Sequence, residues 1–556
     1  MLSIIIQSTQ QVRQTLFNYW TIGVFLVALL IAIPILFIVA SVFADTGEIW
    51  QHLATTVLPE YLKNSFTLMV GVGFGVSIIG VGTAWLVTMC RFPGSRILEW
   101  ALLLPLAAPA YLLAYTYTHL LDFFGPVQTG LRSLFGWVSV NDYWFPEVRN
   151  IWGAIAMLIL VLYPYVYLLV RVAFLEQATG TLEASRCLGC NPWKSFFTVA
   201  LPLARPAIAS GVALVLMETL GDFGTVQYFG VTTFTTGIYR TWFGMGERLA
   251  AAQLAAVLMF FVAILILLER LSRSQARYYQ AGSTYQSPPK HQLSGMRAIF
   301  SLLVCIIPLT FGFIVPAVYL SYLTVANAEY TLNKSFWEIA QNSLILASIT
   351  AFLGSAIALF LAYGKRQGKS GLLNFGVRMS AMGYAIPGTV IAVGILIPVT
   401  RLDKIIDNWM RSTFDVSVGL ILSGTITALI FAYLVRFLAV SFNAVESSLE
   451  KIKPSLDEAS RSLGHTVSST LLRVHTPLMW GGILTAVMLV FVDVMKELPA
   501  TLLIRPFNFD TLAVQVYQYA SDERLIEAAA PALTIILVGI IPVIFLSFRI
   551  AQSRNY

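Results

Sequence analysis

The chain alternates long apolar runs with short polar connections. Twelve runs stand out, at roughly 20–43, 64–90, 97–121, 151–176, 206–222, 250–269, 298–324, 342–364, 373–399, 416–441, 479–495 and 528–548, and one spanning helix takes about 20 apolar residues. Any one of them could be a buried core helix. A dozen in series leave no polar exterior for a soluble fold. Lipid satisfies no backbone hydrogen bond, so open sheets are excluded. The pattern predicts an all-α polytopic membrane protein with about 12 transmembrane helices. A polar stretch at 272–297 interrupts it near the midpoint, with Gln275, Gln280, Gly282, Ser287, Pro288, Pro289 and Lys290. It reads as a linker between two fused halves, 1–271 and 298–556.

Composition agrees with the pattern. Hydrophobic residues make up 57% of the 556 positions and charged residues 11%, where a soluble domain carries about 25% charge. A soluble enzyme, a disordered chain and a fibre are excluded. The net charge of +7 matters by location: it marks a membrane side and no nucleic-acid partner. With the N-terminus inside, 23 of the 35 Lys and Arg residues, Arg171 and Arg436 among them, fall in inner connections. The positive-inside rule then puts both termini in the cytoplasm. The first run is too long for a signal-peptide core and reads as an uncleaved span.

The halves repeat each other. Residues 183–189 read EASRCLG and residues 458–464 read EASRSLG, six identities in seven at an offset of 275. The offset persists without a gap: Leu201-Pro202-Leu203 lies opposite Thr476-Pro477-Leu478, and Phe234-Thr235-Thr236 opposite Phe509-Asp510-Thr511. Six spans per half give both copies one orientation, hence two parallel six-helix repeats. Each block follows the fourth span of its half, on the cytoplasmic side. Glu183 and Glu458 suit the first turn of a short helix, where an anion favours the dipole. Gly189 and Gly464 suit a helix end, and Pro202 and Pro477 suit re-entry into the membrane.

These blocks, at 183–203 and 458–478, resemble the EAA loop of ABC importer permeases of the binding-protein-dependent class. The resemblance implies the type I ABC importer permease fold and a location in the bacterial inner membrane. It implies that Glu183, Ala184 and Gly189 dock one cytoplasmic ATPase subunit, and Glu458, Ala459 and Gly464 a second copy. It implies a periplasmic or lipid-anchored binding protein that delivers substrate. Cofactors follow suit: none in this chain, with ATP and Mg on the partner ATPase. The wording METLGDFGTVQYFG at 217–230 and VDVMKELPATLLIRPFNFDTLA at 492–513 is similar to the fused permease of ferric iron importers. Thiamine, polyamine and sulfate permeases of the same class are the substrate alternatives.

The repeat also pairs carboxylates. Glu218 maps to Asp493 and Asp222 to Glu497, so each half carries two acids at i and i+4, expected on one helical face. Intramembrane carboxylates are costly and default to function, and hard cations favour oxygen ligands. The four acids are candidates for the substrate path, with transient Fe(III) contact at Asp222 and Glu497. The alternative is pairing with Lys496, Arg240 or Arg505. Tyr228 and Tyr239 are further oxygen donors nearby.

Other signals carry less. Gly364 to Ser370 reads GKRQGKS, with three residues between the glycines where a phosphate loop needs four. It reads as a basic loop, so the ATPase belongs on a separate chain. Cys187 and Cys190 have no second pair to complete a zinc site, and the five histidines show no ligand spacing. No nucleophile constellation is present, so the chain reads as a transport subunit and not an enzyme. Gly71, Gly75 and Gly80 read as close helix packing. A secondary transporter also suits twelve spans with a parallel repeat; the duplicated block argues against it.

Overall fold

The computed structural model describes residues 19–176, 185, 187–274, 290–368, 371–381 and 383–552. Among them, nine helices are long and apolar enough to cross a membrane, and three bent helix pairs raise the number to 12. The hydropathy runs therefore became helices, but not all of them became straight ones. The run expected at 97–121 bends by 89° between Ser95–Ala107 and Ala110–Phe135. The run at 373–399 bends by 116° between Leu373–Ala385 and Gly388–Phe414. Pro109 and Pro387 stand at the two bends in extended conformation, each as N-cap of the following helix. Proline lacks the amide that would continue a helix and pushes its predecessor out of the α region.

Two further boundaries move. The run expected from 416 becomes helical only at Ile426–Leu449. Ahead of it, the buried Asp403 carboxylate accepts the amides of Leu422 and Ser423 at 2.9 and 2.8 Å and the Ser423 hydroxyl at 2.5 Å. That acid satisfies backbone donors a continuing helix would have satisfied itself. The run expected from 206 starts at Trp193, through a π-helical turn at Phe196–Ala200. Its repeat partner has a π turn at Leu471–His475, at the same 275-residue offset. There the helix breaks at Met479, and Val467–Leu478 and Trp480–Met495 diverge by 79°.

By contacts the chain forms two compact units: Met1–Thr46 with Thr241–Ala256 and Glu338–Thr511, and Gly47–Arg240 with Val257–Trp337 and Leu512–Tyr556. Repeat and unit are different divisions. In the first unit, helix Tyr19–Ser41 packs on Gly371–Ser380 and Gly388–Phe414, and Trp20 stacks on Phe360 at 5.0 Å. In the second, Val315–Ala326 packs on Leu525–Gln552, and the Tyr117 hydroxyl donates to the Phe311 carbonyl at 2.6 Å. The opening helix of each half thus serves the unit built mainly from the other half.

The densest helix pair in the second unit is Leu58–Met89 against Ile151–Glu176. A Cβ added at Gly71 would meet Ile155 at 2.8 Å, and one at Gly80 would meet the Val166 side chain at 2.7 Å and the Tyr167 amide nitrogen at 3.0 Å. Ile159 closes over Gly75 in the same way. The glycine stripe lets these backbones approach as small residues do in membranes. Nothing lies within 4 Å of a Cβ at Gly82. Gly80→Val is expected to destabilise by about 1–3 kcal/mol through overpacking, read as a lower unfolding midpoint in detergent. Gly82→Ala is expected to leave that midpoint unchanged or raise it slightly.

Candidate functional site

The two repeated blocks fold alike where both are described. In the second, helix Ser455–Ser462 carries Asp457 and Glu458 in its first turn, so two anions face the amide end of the dipole. Glu458 and Ala459 are exposed. Gly464 ends the helix at φ +82°, and Gly189 holds φ +81° at the paired position. That left-handed conformation is open to glycine at little cost. Ser185 and Ser195 share a buried hydroxyl bond of 2.7 Å, and Ser460 and Thr470 one of 2.8 Å at the same offset. The Cys190 amide donates to the Ser185 carbonyl as the His465 amide does to that of Ser460. Glu183 and Ala184 lie outside the described residues.

The blocks carry one feature that motif reading passed over. Leu188 is 84% exposed and Leu463 78%, side by side with Gly189 and Gly464. Both loops thus expose an apolar side chain at the same position of the repeat. Its signal was in the sequence: both blocks spell Leu-Gly at that step, 275 residues apart.

The four candidate carboxylates fall differently from the expectation. Helix Leu201–Gly221 stops one residue short of Asp222, whose backbone is extended at ψ 134°. Glu218 and Asp222 therefore do not share a continuous helical face. Asp222 instead caps the next short helix, Gly224–Tyr228. Its Oδ1 accepts the amides of Thr225 and Val226, both at 3.1 Å, and its Oδ2 accepts the Thr225 hydroxyl at 2.9 Å. In the other unit, Trp480–Met495 likewise ends before Glu497. Glu497 caps Pro499–Ile504 through the amides of Ala500 and Thr501 at 2.9 and 3.0 Å and the Thr501 hydroxyl at 2.6 Å. Each break leaves amides that hydrocarbon cannot satisfy, and each acid supplies the acceptors.

The two caps differ in charge. Glu497 also accepts Arg436 Nη1 at 2.9 Å, with the side chains 2% and 12% exposed. A carboxylate offers about four acceptor positions, and Glu497 has four filled. Asp222 has three filled, which leaves one. Asp493 pairs with Lys496 at 2.9 Å, as the structural alternative foresaw, and Arg505 pairs with Asp510. Glu218 is half-buried. Tyr228 meets Tyr115 edge to face with ring centroids 4.5 Å apart, and Tyr239 lies tilted against Phe223 at 4.9 Å. Arg436, counted among the loop cations, lies inside helix Ile426–Leu449; Arg171, counted with it, is buried and paired with Glu99. Among the described residues no group of three or more His, Cys, Asp or Glu could hold a metal ion. Cys187 is exposed, and both it and Cys190 are free thiols.

Comparison with known proteins gives this geometry a context. The profile of the family described as binding-protein-dependent transport system inner membrane component matches residues 12–277. The Fe(3+)-transport system permease protein FbpB 2 of Haemophilus influenzae is 27% identical over 537 residues, covering 95% of this chain and 98% of the relative. The ferric transport system permease protein FbpB of Actinobacillus pleuropneumoniae is 23% identical, covering 96% of this chain and 78% of the relative. The molybdenum transport system permease protein ModB of Escherichia coli K12 is 30% identical over 243 residues, 42% of this chain and 98% of the relative.

Arg436→Met is expected to cost about 3–5 kcal/mol, because it strands a buried carboxylate. Adding Glu497→Gln to it should recover most of that loss. Asp222→Ala removes only a cap and should cost about 0.5–2 kcal/mol. Thermal unfolding of the purified variants measures all three.

Proposed function

The chain belongs to the family of binding-protein-dependent transport system inner membrane components, and on that premise we propose that it is the membrane-spanning subunit of an ATP-driven importer for Fe(III). The observation that carries the substrate is the alignment of ferric-transport permeases along 95% and 96% of the chain. A molybdenum permease aligns with 42% of it, which suits a single permease half. A periplasmic or lipid-anchored binding protein delivers Fe(III) to the outer face. Two ATPase subunits, on separate chains, bind the loops around Glu183, Ala184 and Gly189 and around Glu458, Ala459 and Gly464. ATP and Mg stay with those subunits. Both termini are cytoplasmic, and the halves 1–271 and 298–556 flank a cytoplasmic linker at 272–297.

Transport then proceeds by alternating access. A ligand shifts a two-state protein only by its differential affinity for the states. ATP binding draws the ATPase pair together and favours the outward-facing state; hydrolysis and release favour the inward-facing one. The chain itself makes and breaks no covalent bond.

The carboxylates divide by role. Asp222, with an acceptor position to spare, is the acid proposed to meet Fe(III) in passage, with Glu218 beside it in sequence. Glu497 and Asp493 are held by Arg436 and Lys496, so their contact with Fe(III) needs those pairs to open.

Copurification tests the proposal. The intact chain, coexpressed with its ATPase, is expected to retain two ATPase subunits. Glu458→Lys should remove one of them, measured by native mass spectrometry. A chain that binds no ATPase and still carries substrate would be a secondary transporter. Neutralising Asp222 and Glu497 together should lower iron uptake with ATPase binding intact; normal uptake and normal coupling would remove both from the path.

A further inference from the structure

The second loop is tied to its own bundle by one guanidinium. Arg366 sits at the end of helix Lys334–Gln367. Its Nε and Nη2 donate to Asp457 Oδ2 at 3.0 and 2.5 Å. Its Nη1 donates to the Leu449 carbonyl at 2.8 Å and its Nη2 to the Ile452 carbonyl at 3.0 Å. Leu449 closes helix Ile426–Leu449, and Asp457 stands immediately before Glu458 in the loop helix. Three elements therefore meet at one planar donor, a geometry that lysine could not reproduce. The pair is largely buried, at 16% and 13% exposure.

Neighbouring bonds repeat the connection. Lys365 pairs with Glu446 on helix Ile426–Leu449. Arg461 donates to the Gln367 side chain at 2.7 Å, and the Tyr363 hydroxyl donates to the Val467 carbonyl at 3.1 Å. The other Asp457 oxygen lies 3.4 Å from Nε2 of the buried His475. The loop helix is thus gripped on both sides of Glu458.

The first repeat lacks the residues for this grip. The 275-residue offset pairs Arg366 with Arg91, Asp457 with Leu182, Lys365 with Cys90 and His475 with Ala200. Of these four only the arginine survives, and the carboxylate is a leucine; Arg461 is matched by Arg186, but its partner Gln367 is matched by Phe92. In the unit that holds it, Arg91 is exposed. The helix end there is occupied by the returning linker: Cys90–Arg91 pairs in parallel with His291–Gln292. The Leu293 amide donates to the Arg91 carbonyl at 2.9 Å, and Lys290 Nζ donates to the Val87 carbonyl at 3.1 Å.

We infer that Arg366 is the positioning residue of the second loop, and that the two ATPase-docking loops are mechanically unequal. This rests on the proposal that the loops bind an ATPase. Movement of the ATPase at Glu458 is passed through Asp457 and Arg366 to helices Lys334–Gln367 and Ile426–Leu449. In the first loop Leu182 stands where the second has Asp457, so that ion pair cannot form there. Loss of the clamp leaves ATPase bound and active but disconnected from transport.

The test uses the whole complex, chain with ATPase and binding protein, in proteoliposomes. Bound ATPase, ATP hydrolysis and Fe(III) uptake are measured together. Arg366→Gln is expected to keep both ATPase subunits and hydrolysis while uptake falls about tenfold or more, within the range of coupling between sites. Asp457→Asn should do the same, and it carries the test if Arg366→Gln does not fold. Arg366→Lys, which keeps the charge but not the fork, should restore uptake only in part, and Arg91→Gln should leave it unchanged. Unchanged uptake in Arg366→Gln, an equal defect in Arg91→Gln, or uptake lost only in step with bound ATPase would each overturn the inference and leave the importer reading standing. An unmodified chain that binds no ATPase would overturn the importer reading itself, and this one with it.

Discussion

Hydrocarbon offers a peptide group no hydrogen bond, and the rest of the structure follows from that. A continuous helix meets the constraint by itself. A broken one does not, and transport needs breaks, because a rod of helices has no path through it. Each break in this chain must therefore bring its own acceptors. Asp222 and Glu497 are those acceptors at equivalent places in the two halves. Asp403 does the same ahead of Ile426–Leu449. The scarce charge inside the bundle goes first to backbone that lipid would leave unsatisfied.

That use of charge shapes what the acids can do. A buried carboxylate needs hydrogen bonds and a counter-charge to be tolerated. Glu497 has both, from two amides, a hydroxyl and Arg436. Asp222 has the hydrogen bonds and a free acceptor position. Two residues at equivalent places of the repeat thus differ: Glu497 is paired with a cation, and Asp222 keeps an acceptor position open. The loops differ too: the second copy has a carboxylate before Glu458 for Arg366 to hold, and the first has a leucine.

Much of this was legible in the sequence. Twelve spans follow from hydropathy, because burying apolar surface dominates and length sets what crosses. The repeat was legible because EASRCLG and EASRSLG differ at one position. The bends were not, since Pro109 and Pro387 sit inside apolar runs and hydropathy does not register φ. The acids were misread for a related reason. The i and i+4 rule presumes that the helix continues, while Gly221 and Gly224 flank Asp222, and Pro499 follows Glu497 by two residues. Those are stop signals, and they turn a shared face into two caps. Arg436 looked like a loop cation because its partner lies 61 residues away in the chain. Pairings at that distance have no local signature.

On the function proposed above, this chain passes Fe(III) at the expense of ATP hydrolysed on another chain. The most direct measurement is uptake of labelled Fe(III) by proteoliposomes holding the chain and its ATPase, with loaded binding protein outside and ATP inside. Uptake is expected to require both ATP and binding protein, and excess molybdate or sulfate is expected not to compete it away. Uptake that runs on an ion gradient without ATP, or ATP-dependent uptake of molybdate in place of iron, would contradict it.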